Sequence, residues 1–121
     1  MFMTIGEVSE KYEITADTLR YYERIGLIPP VPRNKNGIRN FDAEACKWVS
    51  FVKCMRAAGV QIEALIEYVT LLQANTGIER RKNILIEQRA RLQKQEEHLR
   101  ETIERLDFKI SNYEKLFAEK K

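Results

Sequence analysis

The sequence predicts a mainly α-helical protein in two parts: a head of short helices carrying a small β-hairpin, and a long helix that needs a partner. Three observations carry this. Each short helical stretch in the first half opens on a residue suited to capping. An Asn36-Gly37 dipeptide sits between two β-prone arms. From Ile78 onward, an apolar residue returns at every seventh position. Asn75 to Gly77 is the linker-like break, so the 121 residues divide into a head over 1–74 and a linker with its helix over 75–121.

Thr4-Ile5-Gly6-Glu7 reads as a capping box: the hydroxyl accepts from the third helical N–H while the carboxylate reaches back. A short helix follows to about Lys11, with Ile5, Val8 and Tyr12 on one face. After a turn at "EIT", Thr15 caps a second helix, and Asp17 in its first turn suits the helix dipole. That helix ends at Gly26, with Pro29 and Pro30 close behind. Leu19 and Tyr22 share its inward face. Two short capped helices joined by a tight turn make a helix-turn-helix. Asn-Gly is the strongest short hairpin signal and predicts a type I′ turn, with Val31 and Arg33 on one arm and Ile38 to Phe41 on the other. A hairpin directly after a helix-turn-helix reads as a wing. Asp42 caps a third helix over 43–57, with Ala45, Trp48, Val49, Val52 and Met55 inward, and Gly59 ends it. A fourth helix covers about 62–73, with Ile62, Leu65, Ile66, Val69 and Leu72 inward.

The long helix, 78 to 118, would run roughly 60 Å. Ile78, Leu85, Leu92, Leu99, Leu106 and Tyr113 recur as d positions of a coiled coil, and Ile103, Ile110 and Phe117 supply a positions in the last three heptads. Earlier a positions hold Lys82, Arg89 and Glu96. So patterned a helix buries little alone and predicts self-association through Leu85, Leu92, Leu99, Ile103, Leu106, Ile110, Tyr113 and Phe117.

Composition narrows the classes. Net charge is only +3. The head is not broadly basic, because residues 1–58 hold nine Lys/Arg against seven Asp/Glu. Its cations concentrate at Arg20, Arg24, Arg33, Lys35, Arg39, Lys53 and Arg56. No apolar run approaches the roughly 20 residues that span a bilayer, and no signal-peptide pattern opens the chain. Cys46 and Cys54 lie eight apart on one helix, roughly 12 Å, too far to bridge. Free thiols point to a reducing cytoplasm. His98 stands without cysteines nearby, so no metal site is expected. The sequence offers no nucleophile–base pair, paired acids or Gly-rich phosphate loop, so neither an enzyme nor a cofactor is expected.

"ITADTLRYYERIGLIPPVPRNKNGIRNF", together with Ile5 to Val8, resembles the MerR family of bacterial transcription regulators. "WVSFVKCMRAAGVQIEALIEYVTLL" is similar to the branch carrying a single cysteine in this helix, associated with aldehyde, nitric-oxide and electrophile stress. Two residues depart from the pattern: Ile38, where many members have an aromatic, and Gln61, where Ser or Thr usually caps. The resemblance implies a homodimer joined by antiparallel C-terminal helices. It would act on double-stranded promoter DNA with an overlong spacer, alongside bacterial RNA polymerase.

On physical grounds, the start of a recognition helix meets base edges, and guanidinium and phenol groups further along reach phosphate or guanine. Thr4, Thr15, Ala16, Thr18, Arg20, Tyr21 and Arg24 would form that contact set. Arg33, Asn36, Gly37, Ile38 and Arg39 would extend it on the wing, and Lys53 and Arg56 from the third helix. Lys53 and Arg56 could equally offset a helix dipole. Read from the residues alone, Cys54 is a small buried hydrophobe; the resemblance makes it a sensor thiol. Cys46 falls on the outer face. Two rivals stay open: an architectural, excisionase-like DNA binder without a sensor, and a coiled-coil scaffold with no DNA role.

Overall fold

The structure is a computed structural model and describes residues 2–120. Five helices follow one another: α1 (Ile5–Tyr12), α2 (Ala16–Ile25), α3 (Ala43–Ala57), α4 (Ile62–Gln73) and α5 (Ile78–Glu119). The predicted caps form. Thr4 Oγ1 accepts from the Glu7 N–H at 3.1 Å while the Thr4 N–H donates to Glu7 Oε1 at 2.8 Å, closing the box on α1. Thr15 accepts from the Thr18 N–H at 3.1 Å and Asp42 from that of Ala45 at 2.8 Å. Gly26 turns left-handed (φ 83°) to end α2.

The turn between α1 and α2 rests on a residue that local signals did not mark. Glu13 adopts φ 55°, a conformation an L side chain enters at a cost of about 1 kcal/mol. Two contacts hold it there. Ile14, buried, sends its N–H back to the Ser9 carbonyl at 3.1 Å. The Lys53 ammonium, reaching over from α3, donates to the Tyr12 carbonyl at the open end of α1.

The loop after α2 corrects the sequence expectation. Among the described residues no strand ladder forms, only isolated antiparallel bridges, Arg33 with Arg39 and Met3 with Phe41. The turn is not type I′, which would need positive φ at both central residues; Gly37 alone has it, at 78°. The chain instead turns over Asn34 to Gly37 and re-enters through the left-handed glycine, with Gly37 N–H to Asn34 O at 2.9 Å and Asn34 N–H to Ile38 O at 2.8 Å. Asn34 makes the difference. Its Oδ1 accepts from the N–H groups of Asn36 (2.9 Å) and Ile38 (3.0 Å), closing a wider three-residue loop.

A compact unit runs from Met1 to Gln88. Its core holds Val8, Leu19, Leu27, Ile28, Phe41, Val49, Val52, Leu65 and Val69. That unit reaches past position 74 because the opening turns of α5 contribute Ile84 and Gln88, both buried. Gln88 fixes the start of α4 from a distance. Gln61 makes no side-chain cap of its own; Gln88 Oε1 accepts from the Gln61 N–H (3.2 Å) and Gln88 Nε2 donates to Gln61 Oε1 (3.1 Å). Arg80 adds a forked pair to Glu67 of α4, at 2.8 and 2.9 Å. Arg89 to Lys121 cluster as a second unit; through residue 119 it is α5, with most of its large apolar side chains exposed.

Three side chains sit differently from their sequence placement, two of them expected inward and one outward. Trp48 is only half-buried, in an aromatic cluster with Phe51 (5.8 Å, edge-on) and Tyr68 (6.3 Å). Tyr22 is also half-buried. Cys46 is not on an outer face. It is half-buried with its Sγ 3.8 Å from Met3 Sδ, because the Met3–Phe41 bridge lays the N-terminal residues over the start of α3.

Candidate nucleic-acid interface

The exposed face of α2 carries the residues expected of it, each already organised by a neighbour one turn away. Arg20 Nη1 lies 2.9 Å from Asp17 Oδ1, with the carboxylate almost wholly in water. The Arg24 guanidinium lies over the Tyr21 ring, 5.3 Å from its centroid. Tyr21 is 41% exposed, so this stack holds a phenol and a guanidinium side by side at the surface. At the helix start, the Thr15 and Thr18 hydroxyls are 2.8 Å apart and Ala16 is half-buried, leaving a short, low-relief surface.

The wing is bound to this helix by Glu23, which sequence reasoning left out of the site. Its Oε1 accepts from Arg39 Nε at 2.6 Å and its Oε2 from the Val31 N–H at 2.7 Å. One carboxylate thus anchors both arms of the loop to α2. Both side chains are largely covered, 23% exposed for Arg39 and 14% for Glu23. Burial pushes the Glu23 pKa up; the Arg39 and Val31 hydrogen bonds and the Arg39 and Arg33 charges outweigh it, and the net shift is downward. One signal was present in the sequence: a carboxylate in "YYERIG" on a helix otherwise offering cations, with Arg39 across the wing.

The remaining cations divide by what they already hold. Arg33 Nη1 donates to the Gly37 carbonyl at 2.8 Å, bracing the loop, while the residue stays exposed. Lys35, Asn36, Gly37 and Ile38 form the exposed tip, with Ile38 57% exposed. Lys53 serves the end of α1, with Glu13 at 4.0 Å, and Arg56 Nη1 donates to the Val60 carbonyl at 2.6 Å across the α3–α4 corner. Thr4 is committed to its capping box, at the exposed start of α1. The structure therefore brings Arg20, Tyr21, Arg24 and the loop tip forward as accessible groups, and gives Arg39, Lys53 and Arg56 partners inside the chain.

Cys54 is exposed on the last turns of α3, with its carbonyl taken by the Ala58 N–H at 3.2 Å. Cys46 instead lines an open cleft of about 560 Å³ with Met3, Lys11 and Tyr12. No cluster of three His, Cys, Asp or Glu suited to a metal occurs among the described residues, and none of their helices is long and apolar enough to cross a membrane.

Loss of the Glu23 clamp has a defined expected cost. Glu23→Gln should lower stability by about 2 kcal/mol, the scale of a charged hydrogen bond weakened in a covered site. The pH dependence follows from the depressed pKa. The charged carboxylate contributes fully above its unfolded value and loses that contribution as pH falls through the lower folded one. Urea titrations should give a constant wild-type-to-variant gap from pH 8 to about pH 5 and a shrinking gap below about pH 4. A gap that stays constant down to pH 3 would remove the clamp's ionic character.

A capped helix pair, a recognition helix with aromatic and basic residues outward, and a loop pinned beside it define a DNA-binding helix-turn-helix protein. Residues 3–72 match the MerR HTH family of regulatory proteins. The chain belongs to that family and is a transcriptional regulator, not an enzyme. It is 56% identical over 91 residues to the HTH-type transcriptional regulator AdhR of Bacillus subtilis, an alignment covering 74% of this chain and 65% of that relative. Its fold matches the crystal structure of a MerR family regulator from Listeria monocytogenes, with a TM-score of 0.88 and 48% identity over 93% of this chain and 86% of that one. It also matches HiNmlR, a MerR family regulator described as lacking the sensor domain and solved bound to promoter DNA. There the TM-score is 0.84 and the identity 28%, over 98% of this chain and 94% of that one.

Proposed function

We propose that the protein is a homodimeric regulator that holds promoters with an overlong spacer, and works by distorting the DNA so that bacterial RNA polymerase can engage both elements. The observation that carries this is the Glu23 clamp. It makes recognition helix and wing one rigid piece, so a duplex gripped at both is held in a set orientation. Bending a site of this length costs on the order of 1–6 kcal/mol, within reach of a two-state protein switch. α5, bearing the exposed seam, supplies the means of doubling the head. Its place would be the cytoplasm, beside the chromosome.

Cys54 is the proposed lever for aldehydes and other thiol-reactive compounds. It is exposed, and it sits one turn before the α3–α4 corner that Arg56 closes onto Val60. A group added there would press on the joint between the DNA-binding helices and α4. Cys54→Ser should leave operator affinity within about twofold while abolishing reporter induction by an α,β-unsaturated aldehyde. Induction that survives the substitution excludes Cys54 as the lever.

A second reading is favoured by HiNmlR, a neighbour in DNA complex without a sensor domain. In it, this chain bends its site whatever the state of its thiols. Footprinting reduced and aldehyde-treated protein separates the two. Hypersensitivity appearing only after treatment supports sensing, and an unchanged pattern supports the sensor-less reading.

A further inference from the structure

Of the ten residues of α2, the exposed ones are Asp17, Arg20, Tyr21 and Arg24. Their spacing along the chain puts all four on one stripe of the helix. Three of them suit a duplex. The fourth is a carboxylate, its side chain 96% exposed, in the first turn of the helix. That is the end of a recognition helix that meets base edges. A face that takes Arg20 and Tyr21 into the major groove takes Asp17 with them. The helix dipole and Arg20 account for a negative charge here in the free protein. Neither accounts for its fate against a polyanion.

The groove offers such a group few partners. Phosphate oxygens repel a carboxylate, and so do guanine N7 and O6, adenine N7 and thymine O4, which are all acceptors. The donors are the exocyclic amines, N4 of cytosine and N6 of adenine. Adenine sets its N7 acceptor beside N6, and a carboxylate has no proton for it. Cytosine carries no acceptor on that edge. Resting on the DNA-binding dimer proposed above, we infer that Asp17 is a specificity-determining residue that selects cytosine at one position in each half-site, by accepting from its N4 amine.

Its neighbours in the first turn leave this task to it. Ala16 has only a methyl group to offer. The Thr15 and Thr18 hydroxyls are 2.8 Å apart and bonded to each other, and a hydroxyl both donates and accepts, so it discriminates poorly. Arg20 supplies the geometry. Its Nη1 donates to Asp17 Oδ1 at 2.9 Å, while Oδ2 has no partner among the described residues. One oxygen orients the guanidinium and the other is left for the amine. The carboxylate thus enters the groove already paired, and the remaining guanidinium N–H groups face acceptors next to the cytosine.

The test begins with selection of duplexes from a random pool by the full chain, which supplies the half-site and its base preferences. At one position in each half-site the wild type should hold C over the other three bases by about tenfold. Asp17→Asn should move that preference to A, because an amide accepts from N6 and donates to N7. Asp17→Ala should erase it. Both variants should melt with the wild type, since Asp17 contributes only an exposed pair. Base preferences identical in wild type and Asp17→Asn overturn the assignment. A second measurement separates direct contact from an effect passed through Arg20. The selected cytosine is replaced by 2-pyrimidinone, which lacks the N4 amine. The replacement should cost the wild type about tenfold in affinity and Asp17→Ala no more than about twofold. Equal losses for the two proteins overturn the contact. A wild type that selects no sequence at all overturns the DNA-binding reading itself, a result distinct from failure at Asp17.

Discussion

Arg20→Ala is expected to weaken operator binding by about 5- to 150-fold, the equivalent of 1–3 kcal/mol, without unfolding the head. The structure separates these two effects. Arg20 pairs with Asp17, one turn back on the same helix, and that pair is exposed, so it adds well under 1 kcal/mol to stability. Its loss should be seen only when DNA is present. Salt dependence then identifies what the guanidinium touches. A phosphate contact in each half of a dimer would reduce the slope of log affinity against log salt by about 2. A guanine contact would leave the slope unchanged and relax sequence preference at one base pair in each half-site. Binding that is unchanged, by fluorescence anisotropy at two salt concentrations, would take α2 out of the interface.

Ile103→Asp combined with Ile110→Asp should produce a folded monomer whose operator affinity falls more than about 100-fold. Two carboxylates per helix would then have to enter the apolar seam, each costing several kcal/mol to desolvate without a partner. The head should survive, because its core is drawn from residues up to Gln88 and neither substituted residue contributes to it. Sedimentation measures the first effect, and retained cooperative unfolding of the head the second. A variant that stays dimeric would show that the seam is not the dimer contact; one that is monomeric yet binds with full affinity would show that pairing of heads contributes nothing to recognition.

Much of this architecture was legible because its determinants are local. Caps at Thr4, Thr15 and Asp42 act on N–H groups within three residues of themselves, and Gly26 acts on the turn in which it sits. Helix boundaries in the head could therefore be read within a residue or two. The wing turn was missed because Asn36-Gly37 carries a strong hairpin preference, which Asn34, two residues earlier, overrides by taking both Asn36 and Ile38 N–H groups on one oxygen. Glu13 was missed for a different reason. A left-handed non-glycine residue is unfavourable locally and persists only because Ile14 is buried and Lys53 arrives from α3 to serve the end of α1.

What the sequence determined by itself is the order, length and capping of the helices, the seven-residue seam and the family signature. These depend on spacing along the chain, and spacing is visible in one dimension. What tertiary structure decided is which charged side chains remain available. Arg39, Lys53 and Arg56 look alike as isolated cations next to Arg20 and Arg24. Packing spends the first three on Glu23, Tyr12 and Val60, and leaves the other two at the surface. A cation's partner is set by which elements meet in space, and the desolvation that makes such a pair worth forming exists only once they have met.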